Sequence, residues 1–508
     1  MYSLVSCAAL AGIAEWVCCP GRLNAPLYRA LAACPAVHRW DVADNAAAAF
    51  FALGRVQATG RPVAVVAGSG NEAAAMLPAA VNAYYGRHPL LIVTVDDAAN
   101  GGGTGAPGCV EQESLFGIYA PTVQLELPCP VSDLPDLADQ LAEGFPVHLQ
   151  LRVDADAVMP ARDMSTLTVA EPPETPPFRG SLVALSQMLR FHAQEGLVLM
   201  IGALEPAEQE PVLWLARTLR VPVVADAASG LREELAASCL HDAEDILCET
   251  PPPYVLRVGA VPESPFWPML EDMPDTQVFS VTRSGFSGLT RQSEVIEGEP
   301  EQIMKALGDV PHVGDALRLL PASRQASGRT EELLLESQES APALVRAFST
   351  HASLAECVCL GSPTASALWN RYAQWQVPTL YLRSLHTMGS QGVLSTFLGL
   401  SAGAESAFCL VGDLAVLRDM AAPAILPQLP PGRRVIAVLA NNGAEQALDD
   451  TEDDPELERL LCQPQEFRLA DLAALWGAAC YPIHTEADFE VLDTADDDAL
   501  IFLEILPE

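Results

Sequence analysis

The sequence predicts an α/β protein built from three doubly wound, parallel-sheet domains. The chain has 508 residues, which is too long for a single hydrophobic core. Short apolar runs of strand length alternate with helical stretches along almost all of it, a pattern typical of parallel sheets with helices on both faces. Two polar or proline-rich segments interrupt the alternation and divide the chain into three units of roughly equal size.

The apolar runs have the length and composition of buried strands. Helical stretches such as Asn71–Tyr84 and Pro206–Leu219 lie between many of them. The predicted strands are Val63–Ala67, Leu90–Val95, Val147–Val153, Leu197–Ile201, Val221–Ala225, Tyr254–Val258, Val278–Val281, Glu356–Leu360, Thr379–Leu382, Ala407–Val411, Val435–Ala440 and Leu500–Ile505.

The two interruptions set the expected domain boundaries. Residues 154–179 are rich in proline and threonine, a composition typical of an extended linker. Residues 319–340 are polar and predict a second connector that contains some helix. We therefore expect a first domain over residues 1–155, a linker over 156–180, a central domain over 181–320 and a third domain over 341–508.

Charge and targeting signals narrow the function classes. The 28 Lys and Arg residues face 66 Asp and Glu residues, a formal net charge of −38, so nucleic acid and anionic membrane surfaces would be repelled. Residues 4–14 lack the flanking residues of a signal peptide, and no apolar run is long enough to insert into a membrane. Thirteen scattered cysteines favour reduced thiols over a disulfide framework. These features predict a cytoplasmic protein.

Two predicted strands in the last third of the chain end in residues that carry oxygen ligands. Asp413 follows the strand Ala407–Val411, and Asn441 ends the next strand, with Gly443 close behind. Parallel strands end at the same edge of a sheet, where open α/β sheets bind ligands. A carboxylate, an amide oxygen and the Gly443 carbonyl form a hard oxygen set suited to Mg²⁺, which would bridge to a diphosphate. The alternative is a strand-end aspartate and a turn-forming Asn-Asn-Gly without a metal.

The motifs resemble those of the thiamine-diphosphate-dependent enzymes and, among them, the MenD synthase family. The spacing from Asp413 to Asn441 is similar to the cofactor–metal signature, and MenD-type enzymes carry leucine at the position of Leu414. Further segments resemble the family in the correct order along nearly the whole chain. They are Phe50–Gly54, Arg61–Val63, Gly68–Ala73, Leu115–Gly117, Gly389–Thr396 and Pro464–Phe467.

This resemblance implies a pyrimidine-binding first domain, a Rossmann-like central domain and a diphosphate-binding third domain. It implies thiamine diphosphate and Mg²⁺ as cofactors, a small-molecule 2-oxo acid as substrate, and a homodimer or homotetramer whose site lies between subunits. It also implies decarboxylation and carboligation of that acid. The metal ligands would be Asp413, Asn441 and Gly443, and the cofactor would also contact Gly412, Leu414, Met388 and Ser390.

The chain departs from the family at the residue that activates the cofactor. A glutamate there hydrogen-bonds N1′ of the pyrimidine and favours its imino tautomer, which is general acid–base catalysis. The D-E-R motif of MenD-type enzymes appears here as Asp44-Asn45-Ala46. Asn45 can hold N1′ but cannot exchange a proton at neutral pH, so we expect proton transfer to slow by a factor of ~10²–10⁴. Asn45 could also serve as the N-cap of a helix over residues 46–53.

The expected substrate contacts depart as well. MenD-type enzymes bind 2-oxoglutarate and isochorismate, anions that arginines would clamp. Arg22, Arg383 and Gln112 remain as candidates for substrate contact. At a cofactor-contacting position, Ser390 replaces the bulky aliphatic residue of the family, and Met388 could take over its role. The family's arginine positions hold Leu23, Phe266, Ala367 and Leu385, and its G-A-N-Q segment is Gly105-Ala106-Pro107-Gly108. The sequence therefore leaves three hypotheses: the menaquinone-pathway reaction, carboligation of less charged substrates, or a catalytically impaired homologue with a binding or regulatory role.

Overall fold

Three parallel sheets with intervening helices make up the fold, which confirms the predicted fold class. Contacts group the chain into two compact units. The first unit comprises Met1–Pro176, Ser384–Gly403 and Ala415–Pro430, and the second comprises Pro177–Arg383, Ala404–Leu414 and Pro431–Glu508. The computed structural model describes residues 1–68, 70–97, 103–105, 110–153, 162–314, 318–374, 380–383 (backbone alone), 389–440, 456, 459, 467–496 and 499–507.

The sheet of the first unit has six parallel strands. Its strands are β1 (Glu15–Cys18), β2 (His38–Asp41), β3 (Val63–Val66), β4 (Leu90–Asp97), β5 (Thr122–Leu127) and β6 (Val147–Val153), in the spatial order β2-β1-β3-β4-β6-β5. The accompanying helices are α1 (Tyr2–Leu10), α2 (Ala25–Ala32), α3 (Asn45–Thr59), α4 (Gly70–Ala73), α5 (Leu77–Gly86) and α6 (Leu137–Ala142).

The central sheet has five parallel strands and belongs to the second unit. They are β7 (Leu197–Ile201), β8 (Val223–Ala225), β9 (Tyr254–Val258), β10 (Gln277–Thr282) and β11 (Glu294–Glu297), in the order β11-β10-β9-β7-β8. Its helices are α7 (Leu182–Gln187), α8 (Pro206–Leu219), α9 (Ala243–Glu249), α10 (Phe266–Met269) and α11 (Pro300–Leu307). Phe266, at one of the expected arginine positions, is fully buried in this core.

The third sheet also belongs to the second unit and has six parallel strands. They are β12 (Cys357–Leu360), β13 (Leu380–Arg383), β14 (Ser406–Gly412), β15 (Arg433–Leu439), β16 (Ala479–Ile483) and β17 (Leu500–Ile505), in the order β13-β12-β14-β15-β17-β16. The last helices along the chain are α12 (Leu320–Glu336), α13 (Ala341–Ala352), α14 (Pro363–Tyr372), α15 (Val393–Leu400), α16 (Asp413–Leu417), α17 (Leu469–Leu475) and α18 (Val491–Thr494). In the described part of the chain, no helix has the length and hydropathy needed to cross a membrane.

Helices α3 and α15 pack against each other inside the first unit. A Cβ atom on Gly54 would lie 2.2 Å from the Thr396 carbonyl oxygen, and one on Gly399 would lie 2.3 Å from the carbonyl oxygen of Phe51. The two backbones therefore touch, which glycine alone permits. Nearer the N-termini, Gly392 lies against the ring of Phe50. The N-cap residues of the two helices, Asp44 and Gly392, line the same cavity, so both helices begin near it.

Candidate functional site

A cavity of about 250 Å³ lies in the first unit at the end of the pair where α3 and α15 begin. Carboxylates, one guanidinium and an aromatic ring share its wall. The residues that line it are Asp44, Ala46, Phe50, Gln391, Gly392, Leu417, Arg418, Asp419, Met420 and Ala421.

Asp44 caps the N-terminus of α3. Its backbone is extended, and its side chain accepts a hydrogen bond from the N–H of Ala47 at 2.8 Å. Such a bond satisfies one of the N–H groups that the first helical turn leaves without a partner. The expectation that Asn45 serves as the N-cap is therefore wrong, because Asp44, one residue earlier, already supplies the acceptor and Asn45 is the first residue of the helix.

Asn45 binds the loop that follows strand β3. It is buried, and its Oδ1 accepts a hydrogen bond from the N–H of Gly68 at 2.8 Å. A backbone N–H can only donate, so this bond identifies which end of the amide faces Gly68. The remaining polar group of the side chain, Nδ2, is a donor. Asn45 thus occupies the predicted position at the start of α3, with its acceptor used inside the protein.

Asp419 forms the second carboxylate of the cavity wall and is 5% exposed. It accepts hydrogen bonds from the N–H of Ser395 at 2.6 Å and from the Ser395 hydroxyl at 2.8 Å. The pKa of Asp419 is raised to about 6, chiefly by burial and to a smaller extent by the nearby charge of Asp44, while the bonds from Ser395 oppose the rise.

Arg418 brings a positive charge to the same wall. Its Nη1 donates a hydrogen bond to the hydroxyl of Ser390, so the serine at the position of the expected bulky aliphatic residue contacts this guanidinium. Our sequence reasoning missed both Arg418 and Asp419. The available signal was a pair of charged residues five and six positions after Asp413, in an otherwise apolar stretch.

Asp413 has the predicted position at the carboxyl end of a buried strand. It follows Gly412, the last residue of β14, and is 8% exposed in the second unit. Its Oδ1 accepts the N–H of Leu414 at 2.8 Å. A buried carboxylate at a strand end is a ligand that fits Mg²⁺. Asn441, Gly443 and Met388 lie outside the described residues. Among the residues that the structure describes, no group of three or more His, Cys, Asp or Glu side chains could hold a metal ion.

The candidates for substrate contact are dispersed. Arg22 is exposed in a short turn, and Gln112 is 2% exposed with an Oε1 that has no hydrogen-bond partner among the described residues. Neither lines the cavity described above. Arg383 is the last residue of β13, and the structure describes its backbone alone. The structure therefore brings neither Arg22 nor Gln112 to the cavity wall that holds Arg418.

Comparisons with known proteins agree with one another. Residues 3–115 match the family described as "Thiamine pyrophosphate enzyme, N-terminal TPP binding domain". A protein of Akkermansia muciniphila named 2-succinyl-5-enolpyruvyl-6-hydroxy-3-cyclohexene-1-carboxylate synthase is 45% identical, with 100% of this chain and 95% of the relative aligned. A protein of the same name from Geobacillus thermodenitrificans is 29% identical over 94% of this chain and 88% of the relative.

A solved structure shares the fold. It is the X-ray structure of a candidate thiamin diphosphate-dependent enzyme from Mycobacterium smegmatis, with a TM-score of 0.70 over 99% of this chain and 98% of that one. The two sequences are 16% identical, so this likeness concerns the fold alone.

Proposed function

Since the chain belongs to the 2-succinyl-5-enolpyruvyl-6-hydroxy-3-cyclohexene-1-carboxylate synthase family, we propose that it is a thiamine-diphosphate- and Mg²⁺-dependent carboligase acting on a 2-oxo acid. The observation that carries this proposal is the 45% identity to the Akkermansia muciniphila protein over the whole chain. When bound, the cofactor supplies the carbon nucleophile for such chemistry.

The cavity of the first unit suits the ring end of that cofactor. Both helices that begin there are already capped by aspartates, α3 by Asp44 and α15 by Asp419. Two carboxylates would repel a diphosphate, whereas an amino-substituted aromatic ring can donate hydrogen bonds and pack against Phe50. In the second unit, Asp413 would bind the metal together with Asn441 and Gly443, a proposal based on donor chemistry alone.

We expect Asn45 to make the reaction slow, because it replaces the residue that assists proton transfer. Its Oδ1 accepts from Gly68, so the group it can offer a ring nitrogen is the Nδ2–H donor. A donor favours a ring nitrogen that keeps its lone pair and opposes one that carries a proton. Asn45 would therefore orient the ring without helping a proton to move on or off it, at a cost of ~10²–10⁴ in rate.

The same contact favours a second candidate function. A chain that keeps the cavity but uses the Asn45 acceptor to hold the Gly68 loop could bind the cofactor and serve a binding or regulatory role without turnover. In both cases we propose a ligand less charged than the pair 2-oxoglutarate and isochorismate. Arg418 is the cation that lines the described cavity, and it can pair with a single carboxylate.

Calorimetric titration with thiamine diphosphate and Mg²⁺ tests the shared part of both candidates. We expect saturable heat, and its absence at millimolar cofactor would exclude both of them. Product formation from a 2-oxo acid with one carboxylate then separates the carboligase from the binding protein. Rapid turnover of 2-oxoglutarate with isochorismate would contradict the proposed loss of charged substrate contacts.

A further inference from the structure

Helix α15 begins without an N-cap side chain of its own. The residue at its N-cap is Gly392, which has φ +73° and cannot offer a side-chain acceptor to the first turn. Any Cβ at this position would lie 2.0 Å from the Phe50 ring, so the contact with α3 requires glycine. The acceptor that most helices take from the N-cap is therefore not available from Gly392.

Asp419 supplies that acceptor from a segment 24 residues further along the chain. Its carboxylate binds both the N–H and the hydroxyl of Ser395, which is the third residue of the helix. Those bonds hold the first turn of α15, and Gln391 and Gly392, which immediately precede this turn, line the cavity together with Asp44 and Ala46.

We propose that Asp419 is a positioning residue, which caps α15 from outside the helix and so fixes the Gln391–Gly392 wall of the cavity for the cofactor ring. This inference rests on the proposed function for the identity of the ligand, but the positioning itself is a property of the free protein.

The effect of the Asp419 charge on stability provides a way to distinguish the positioning role from simple structural support. The titratable side chains in the cavity wall around it are Asp44, which carries the same charge, and Arg418, which is bound to Ser390. Because burial raises the pKa of Asp419 to about 6, the native state binds the proton more tightly than the unfolded chain does. Ionisation therefore lowers stability as the pH rises through the window between about 4 and 6. At neutral pH the protein keeps a charge that its fold disfavours.

The decisive variant is Asp419→Asn, which keeps the shape but turns an –NH₂ group toward one of the Ser395 donors. We expect about tenfold weaker binding of thiamine diphosphate with Mg²⁺, the effect of losing a charge-assisted hydrogen bond. In the free protein, amide hydrogen exchange over residues 389–400 should accelerate by about tenfold. The melting temperature at pH 7.5 should be no lower than that of the unmodified protein, since the disfavoured charge is gone.

Two further variants serve as controls. Asp136→Asn changes an exposed aspartate that caps α6 outside the cavity wall, and it should leave both binding and the exchange of residues 389–400 unchanged. Ser395→Ala removes the hydroxyl bond but keeps the N–H bond, so its effects on binding and exchange should be intermediate.

The outcomes separate the proposals. If Asp419→Asn lowers the melting temperature and accelerates exchange throughout the first unit, Asp419 is ordinary structural support and the inference fails. Unchanged exchange over residues 389–400 would also overturn it. If the unmodified protein binds no thiamine diphosphate, the proposed function fails, while the exchange measurement still decides whether Asp419 positions the wall.

Discussion

Replacing Asn45 by glutamate should restore the proton exchange that activates the cofactor in the family. In Asn45→Glu the carboxyl group would stand at the start of α3, where it can exchange a proton with a ring nitrogen. We expect exchange of the C2 proton of bound thiamine diphosphate to accelerate by ~10²–10⁴, measured by NMR after transfer into D₂O. Asn45→Gln, which keeps an amide, should exchange at the rate of the unmodified protein. Equal rates in all three proteins would show that Asn45 does not limit the reaction.

A second residue, His148, makes the stability of the protein depend on pH. His148 is fully buried, with the Thr94 hydroxyl 2.9 Å from Nε2 and the Thr122 hydroxyl 2.9 Å from Nδ1. Burial lowers its pKa to about 4, so the fold requires the neutral ring. The contribution of this group to stability is complete above the unfolded pKa of about 6.5 and is lost as the pH falls toward 4.

The measurement for His148 is denaturant unfolding at two pH values. Between pH 7 and 5, the stability of the unmodified protein relative to His148→Gln should fall by about 2 kcal/mol, because the glutamine does not titrate. A difference that stays constant over this range would show that the ring can be protonated without loss of the fold.

At this scale the sequence allowed the positions of two candidate residues in the fold to be predicted, while their roles stay predictions. Asp413 lies at a strand end and Asn45 at the start of α3, because local apolar patterns place both elements. Asp419 and Arg418 could not be found in the same way. Their importance depends on Ser395 and Ser390, which lie more than twenty residues away and become neighbours only through tertiary packing.

Among the elements, the contact between α3 and α15 is the one most sensitive to substitution. A methyl group on Gly54 or Gly399 would overlap a backbone carbonyl of the opposite helix. We expect Gly54→Ala and Gly399→Ala each to lower the free energy of unfolding by about 1–3 kcal/mol, measured by denaturant titration.

Gly328→Ala is the matched control for those variants. Gly328 lies within α12, and a Cβ there would meet nothing within 4 Å. Alanine should stabilise this helix by up to about 1 kcal/mol through its better helix propensity. If all three substitutions had the same effect, the close approach of the two backbones would be refuted.

The strands show why element prediction from the sequence was incomplete. Every predicted strand is present within a few residues of its expected bounds, since each contains a mainly apolar run of strand length. Among the described strands that we missed, β2, β5, β11 and β16 lie at sheet edges. These four strands have few buried side chains, as the single buried residue of β2 shows, so they lack a continuous apolar run. The remaining one, β1, is only four residues long.

On the scale of the whole molecule, a buried arginine connects the segment after β8 to helix α14 within the second unit. Arg232 pairs with Glu233 at 2.7 Å, both side chains being 1% exposed. Its Nη1 donates to the carbonyl oxygens of Trp369 and Asn370, near the end of α14. Arg232→Met would leave the Glu233 carboxylate buried without its cation and should lower the free energy of unfolding by about 3–5 kcal/mol.

Arg217→Met tests whether burial of the ion pair is the cause of the stability loss expected for Arg232→Met. Arg217 forms an ion pair of the same length, 2.7 Å, with the next glutamate, Glu234, but both side chains are substantially exposed. Exposed pairs contribute at most about 1 kcal/mol, so this variant should unfold at nearly the same denaturant concentration as the unmodified protein. Equal losses in the two variants would contradict the assignment of Arg232 as a buried connection.

The first unit is discontinuous along the chain, and this determines the order in which its parts are synthesised and can pack together. A ribosome releases residues 1–176 long before Ser384–Gly403 and Ala415–Pro430 have been synthesised. Until then the side of α3 that carries Gly54 has no α15 to cover it, and the nascent chain exposes apolar surface. The packing of α3 against α15 can therefore form only after the intervening segment Pro177–Arg383 has been synthesised, so the first unit is completed late in synthesis.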